Sequence, residues 1–219
     1  MMDFWNQTFH FNSVANKPPL LIHVVSYQRP QALVCLLSSL ACQVSQNFEV
    51  CVTHDEFHAP TLDVIKTFTS MCGLPVTLKF TTHRMGLWGH PMRAQVLTEC
   101  DHEYLLLTND DNYYVPLFTN HMMNTIRSHD AHMVMCDMIH SHNMPGGRPQ
   151  PPYNLFVTEP SLMNCDIGCF ITKTTQAQRV GFSDCDQSSA DGLFVNKLMQ
   201  LNDPPIKVIK VPQVLFVHN

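Results

Sequence analysis

In the stretch "YLLLTNDDNYYVP", residues 104–116, four apolar or aromatic residues run into a polar knot holding Asn109, Asp110 and Asp111. Adjacent carboxylates where a buried strand emerges can hold a divalent cation, which would let them face the phosphates of a nucleotide instead of repelling them. Side chains alternate along a strand, so Asn109 and Asp111 share a face while Asp110 points away unless the chain has already turned. Asp111 is therefore the first choice as a metal ligand. The competing reading is an Asx-type turn that leads into a helix after Pro116.

Three earlier runs end in comparable residues. The run 20–27 closes on Ser26 and Tyr27 with Arg29 just beyond, 48–55 on Thr53 and Asp55, and 75–83 on His83 with Arg84 after it. Each is short and β-rich and reads as a buried strand. Each is followed by helical spacing: Leu33, Val34, Leu36, Leu37 and Leu40 after Pro30; Leu62, Ile65, Phe68 and Met71 ahead of Gly73; and a short helix over 90–100. Strands alternating with helices predict an α/β fold with a largely parallel sheet covered on both faces, and ligands then sit outside the carboxyl ends of the strands. All four polar sets converge on that edge. There Asp55 would accept a hydrogen bond from a base or ribose, and Arg84 would face a carbonyl or phosphate. Strands end in polar turn residues in any fold, but four such sets on one edge make a site.

The second half is less regular. A helix is expected from about Pro116, strands over 132–140 and 166–173, a helix over 188–202 and a last extended segment over 206–219, with a Pro- and Gly-rich loop over 141–154. The 219 residues are 45% hydrophobic, enough for the core of one domain, and 1–219 is read as that domain, with 18–115 as a nucleotide-binding half and 116–219 as the half that completes the site. Only 14% of residues are charged and the net charge is -5, which argues against nucleic acid as a partner. Nine cysteines with no CxxC pair, most inside apolar runs, read as free thiols in a reducing compartment. No stretch approaches the roughly 18 apolar residues of a membrane span, and a soluble cytoplasmic protein is expected.

Taken in order, "VVSYQRPQAL", "THD", "HRMGLWG" and "LLLTNDDNYYVP" resemble a glycosyltransferase of the GT-A fold and the family 2 type, and the resemblance extends over nearly the whole chain. It implies a metal-dependent inverting transfer of a hexose from a nucleoside-diphosphate sugar, with a UDP-sugar as first choice, to an acceptor hydroxyl, expected to be that of a glycan. It places Val25, Ser26, Tyr27, Arg29 and Asp55 around the nucleoside, and Arg84 at the base or phosphates. A DxD-like motif holds Mn²⁺ or Mg²⁺ in that family. Asn109 replaces its first aspartate here, so Asp110 and Asp111 share sugar contact and metal ligation in a division the sequence leaves open.

The resemblance further implies a catalytic base near the start of a late helix. "CDQSSADGLFVNKL" offers Asp191, capped by Ser188 or Ser189, with Asp184 and Asp186 as rivals. It also implies a late-strand histidine as metal ligand, His218, which with oxygen ligands suits Mn²⁺ better than Mg²⁺. Asp166 and Gly168 are candidates to line the donor sugar or the acceptor. Trp88, between Gly86 and Gly89, is a candidate to stack on a sugar face. His140 and His142 lack a matching ligand pair and fit structural or acceptor-loop roles better than zinc binding; the loop 143–152 is read as a lid or acceptor segment. The rivals are a nucleotidyltransferase, opposed by the lack of glycine in "SYQRPQ", and a degenerate module that binds a nucleotide sugar without turnover, which Asn109 keeps open.

Overall fold

The computed structural model describes residues 3–141, 153–183, 186, 187 and 189–219. His142, Asp184, Cys185, Ser188 and the 143–152 loop lie outside the described residues.

The four predicted strands form as β2 (Leu20–Ser26), β3 (Phe48–His54), β4 (Val76–Thr81) and β5 (Tyr104–Asn109), parallel to one another in the order β4-β3-β2-β5. All seven residues of β2 are buried, which is why it reads as a continuous apolar run and not an alternating one. Its one polar ring, His23, pairs through Nε2 with Thr53 Oγ1 at 2.8 Å. Thr53 is thus spent inside the sheet and does not reach the strand edge. Helices α1 (Pro30–Ala41), α2 (Ala59–Cys72) and α3 (His90–Glu99) connect these strands, each with proline in its first turn. Gly73 ends α2 at φ 72°, as expected of a glycine stop.

The N-terminal stretch that looks irregular in sequence forms β1 (Trp5–Phe11), antiparallel to β4 at the sheet edge. Three of its seven residues, Trp5, Phe9 and Phe11, pack against the core while the rest face water. Half-exposed edge strands lack the dense apolar run that marks an interior one.

Beyond β5 come β6 (Tyr113–Tyr114), α4 (Phe118–His129), β7 (Met133–His140), β8 (Asn154–Phe156), β9 (Phe170–Lys173), α5 (Thr174–Val180), α6 (Ala190–Met199) and β10 (Val208–His218). The strand expected over 166–173 is shorter, because 167–169 form a 3₁₀ turn in which Asp166 Oδ1 accepts from the Gly168 N–H. β9 is antiparallel to both β5 and β7, while β10 runs parallel to β7. That inserted antiparallel strand matters for function. It starts where its neighbours end, so Asp166 and Gly168 arrive at the same edge as Asn109, His140 and His218. Gly168 is needed for close packing there: a Cβ would stand 2.7 Å from the Phe216 ring and 3.0 Å from the Tyr114 hydroxyl.

Candidate active site

A cavity of about 450 Å³ opens at the carboxyl edge of β2, β3 and β5. Val25, Tyr27, Arg29, Asp55, Arg84, Trp88 and Asn109 line it, which brings together seven of the residues singled out in sequence. The Arg84 guanidinium lies 4.6 Å from the centre of the Tyr27 ring, forming a flat cationic and aromatic wall suited to a planar base. Behind Tyr27, the neutral imidazole of His54 accepts from the Gln28 N–H at 3.0 Å and donates to the Glu56 carbonyl at 2.7 Å. Burial holds its pKa below the ordinary histidine value, which keeps the acceptor nitrogen unprotonated.

Asp55 has a task the sequence did not reveal. Its buried carboxylate accepts from the Met85 N–H at 2.6 Å, the Gly86 N–H at 2.7 Å and the Thr81 hydroxyl at 3.2 Å. It thereby anchors a left-handed turn in which Gly86, Leu87, Trp88 and Gly89 all have positive φ. Such a conformation is costly for Leu87 and Trp88 and persists only where the surroundings impose it. Asp55→Ala is expected to leave two partly buried amides unpaired, at up to about 1–3 kcal/mol each, and to weaken nucleotide binding. A thermal melt and a nucleotide titration on the same variant check both effects.

Arg93 holds the other end of that turn. It is among the largest fully buried side chains, and it donates to the Trp88 carbonyl at 2.9 Å, to His90 Nδ1 at 2.9 Å and to Asn109 Oδ1. The asparagine that breaks the strict acidic motif is therefore the neutral acceptor for a buried guanidinium. Burial and the Arg93 charge hold His90 down at about 4, so it stays neutral and can accept. Neither residue was singled out in sequence, where a charged residue in a short helix reads as solvated; the sign was its place among Met92, Ala94 and Val96.

The acidic pair divides by environment. Asp110 is fully buried, with Arg29 Nη2 2.7 Å from Oδ1 and the Tyr27 N–H 3.4 Å from Oδ2. Burial pushes its carboxyl up to about 6, while Arg29 and the Ser26 hydroxyl pull the other way. Asp111 is partly exposed and pairs with the same Arg29 through Nη1.

Across the edge, Asp191 sits in the first turn of α6. Ser189 occupies the cap position but makes no capping hydrogen bond. Asp191 Oδ1 is shielded from solvent with no hydrogen-bond partner among the described residues. Burial raises its pKa to about 6, offset by Arg93 and His218 and reinforced by Asp166. The rival Asp186 is exposed. His218 Nε2 lies 3.3 Å from Asp166 Oδ2, its ring stacks on His140 at 4.4 Å, and its Nδ1 has no partner among the described residues. Pairing of Val217 with Tyr113, and of the Asn219 N–H with Asn112 Oδ1 at 3.5 Å, carries His218 alongside the loop that holds Asp111. Among the described residues, no three His, Cys, Asp or Glu side chains stand together in metal-binding geometry.

The family model for glycosyl transferase family 2 matches residues 21–183. No curated protein gives a significant match. Among solved structures, Staphylococcus aureus TarS 1-349 superposes with a TM-score of 0.71 at 20% identity, over 91% of this chain and 60% of that one. Its complex with UDP-GlcNAc gives 0.70 at 21% identity, over 90% and 57%. Mannosyltransferase PcManGT from Pyrobaculum calidifontis, in complex with GDP-Man and Mn2+, gives 0.69 at 15% identity, over 98% and 59%. The chain thus spans about 60% or less of the length of these structures, and the likeness establishes a shared fold.

Proposed function

The chain belongs to glycosyl transferase family 2, and from that premise we propose that it transfers a sugar from a nucleoside-diphosphate donor to an acceptor hydroxyl, with inversion and with the aid of a divalent cation. The observation that carries this reading is the meeting of two sets of groups through Arg93. Its guanidinium is bonded to Asn109 in the nucleotide-sized cavity and is close enough to Asp191 to lower that residue's pKa. Bound nucleotide sugars in the TarS and PcManGT structures support the donor class.

Tyr27 and Arg84 would hold the base, and Arg29 would meet the diphosphate. Asp191 Oδ1, dry and without a partner among the described residues, would take the acceptor hydroxyl's proton as that oxygen bonds to the anomeric carbon and the bond to the diphosphate breaks, its electron pair leaving with the diphosphate. The donor types suit a cation, although no three of them stand together among the described residues. Asp111 offers an accessible carboxylate, Asp110 lies beside it, and His218 presents an Nδ1 without a partner among the described residues while Asp166 faces Nε2, the usual arrangement behind a ligating histidine. A nitrogen among oxygens favours Mn²⁺ over Mg²⁺. When bound, the cation would offset charge developing on the departing diphosphate.

Thermal stabilisation by UDP, GDP and their sugars with Mn²⁺ or with EDTA tests the donor class, and release of nucleoside diphosphate tests turnover. Binding without any release would leave a nucleotide-sugar-binding module. With donor saturating, the single-turnover rate is expected to fall as pH drops through about 6, the value to which burial raises Asp191. A flat rate from about pH 5 to 8, spanning that pKa, would remove Asp191 as the base.

A further inference from the structure

Arg29 lines the donor cavity and also pairs with both members of the acidic pair. It leaves the chain just before α1, at the cap position of that helix, with its side chain half exposed. One guanidinium nitrogen faces Asp110 and the other Asp111, so a single cation already serves two carboxylates. The contact with Asp110 Oδ1 is one of charge at 2.7 Å and not an aligned hydrogen bond, since that oxygen has no partner of hydrogen-bond geometry. Asp110 cannot turn to water for compensation, being fully buried.

A divalent cation on Asp111 would stand in contact range of this guanidinium, and the two positive groups would repel. A half-exposed arginine–carboxylate pair is weak enough to be given up. A diphosphate entering the cavity offers the same guanidinium a bidentate partner of higher charge. We propose, building on the donor site assigned above, that Arg29 is a movable counter-charge: it occupies the cation's side of Asp110 and Asp111 until a nucleoside diphosphate arrives, then turns onto the diphosphate and yields Asp111 to the cation. Cation and nucleotide therefore bind synergistically, and by linkage each tightens the other by the same factor.

The test is Mn²⁺ binding to the intact chain, followed by the paramagnetic resonance of free Mn²⁺ at pH 8, with and without UDP or GDP. For the native chain, Mn²⁺ alone is expected to bind weakly and the nucleotide to tighten it by about tenfold or more. Arg29→Gln is expected to bind Mn²⁺ alone about tenfold tighter, with a smaller further gain from nucleotide than the native chain shows. Arg29→Lys, which keeps the charge but not the two-nitrogen reach, is expected to fall between the native chain and Arg29→Gln. If Arg29→Gln and the native chain bind Mn²⁺ alone equally while nucleotide binding is intact, the counter-charge role is overturned and the donor site stands. If the native chain binds Mn²⁺ no better with either nucleotide although both bind, the proposal falls without reference to any variant. Failure of UDP and GDP to bind at all takes down the donor site and this proposal with it.

Discussion

Asp191→Asn is expected to lose transfer by roughly 10²–10⁴-fold and yet to melt at a higher temperature than the native chain. The loss follows from replacing a basic carboxylate, whose shielded Oδ1 has no partner among the described residues, by a neutral amide. The gain follows from the sign of its pKa shift. Burial raises the folded-state value to about 6, above the ordinary 3.8 of an aspartate. Between these limits the folded chain binds more protons than the unfolded one, so this group's contribution makes stability fall as pH rises from about 4 to about 6. At neutral pH the buried charge then costs about 3 kcal/mol, which the neutral amide relieves. The melting advantage of the variant should be present at pH 7 and gone near pH 4. A variant that is inactive but less stable at pH 7 would mean that Asp191 is structural. Retained turnover would sink its catalytic role, and donor binding should survive in either case.

Gly89→Ala is expected to abolish nucleotide binding, because two separate costs fall on one atom. A Cβ at position 89 would lie 2.1 Å from Val25 Cγ1, on the buried central strand, and the residue would have to keep φ at 78°. Left-handed backbone costs roughly 1–2 kcal/mol and overpacking roughly 1–3 kcal/mol more. Relief comes only by lifting the Gly86–Gly89 turn away from β2, which pulls the Trp88 carbonyl off Arg93 and opens the cavity wall. Gly73→Ala is the control, since φ is 72° there with nothing within 4 Å of the added methyl. Val25→Ala in the Gly89→Ala chain should restore part of the binding. Equal denaturation midpoints for Gly73→Ala and Gly89→Ala would show that the contact with Val25 carries no cost.

The interior strands were legible in sequence because burial on both faces writes them as unbroken apolar runs. β1, β6 and β8 were not, being short or at an edge where too few residues face the core to make a pattern. α5, with the sequence TTQAQRV, buries only Thr174, Gln176 and Ala177, and no apolar stripe announces it. At the site, cavity residues such as Tyr27, Asp55 and Arg84 could be read from strand-end position alone. Their partners could not. That Asp55 grips Met85 and Gly86, and that Asn109 answers to Arg93, are facts of the third dimension between residues up to 31 positions apart. Part of the abundance of histidine also becomes intelligible, since His23, His54 and His90 serve as neutral hydrogen-bonding groups in dry surroundings.

The antiparallel β9 has one more consequence. It is hydrogen-bonded on one side to β5, which carries Asn109, and on the other to β7, whose neighbour β10 carries His218. The edge at Asn109 and the edge at His218 therefore belong to one continuous ladder, and the spacing between these two residues is set when the sheet folds.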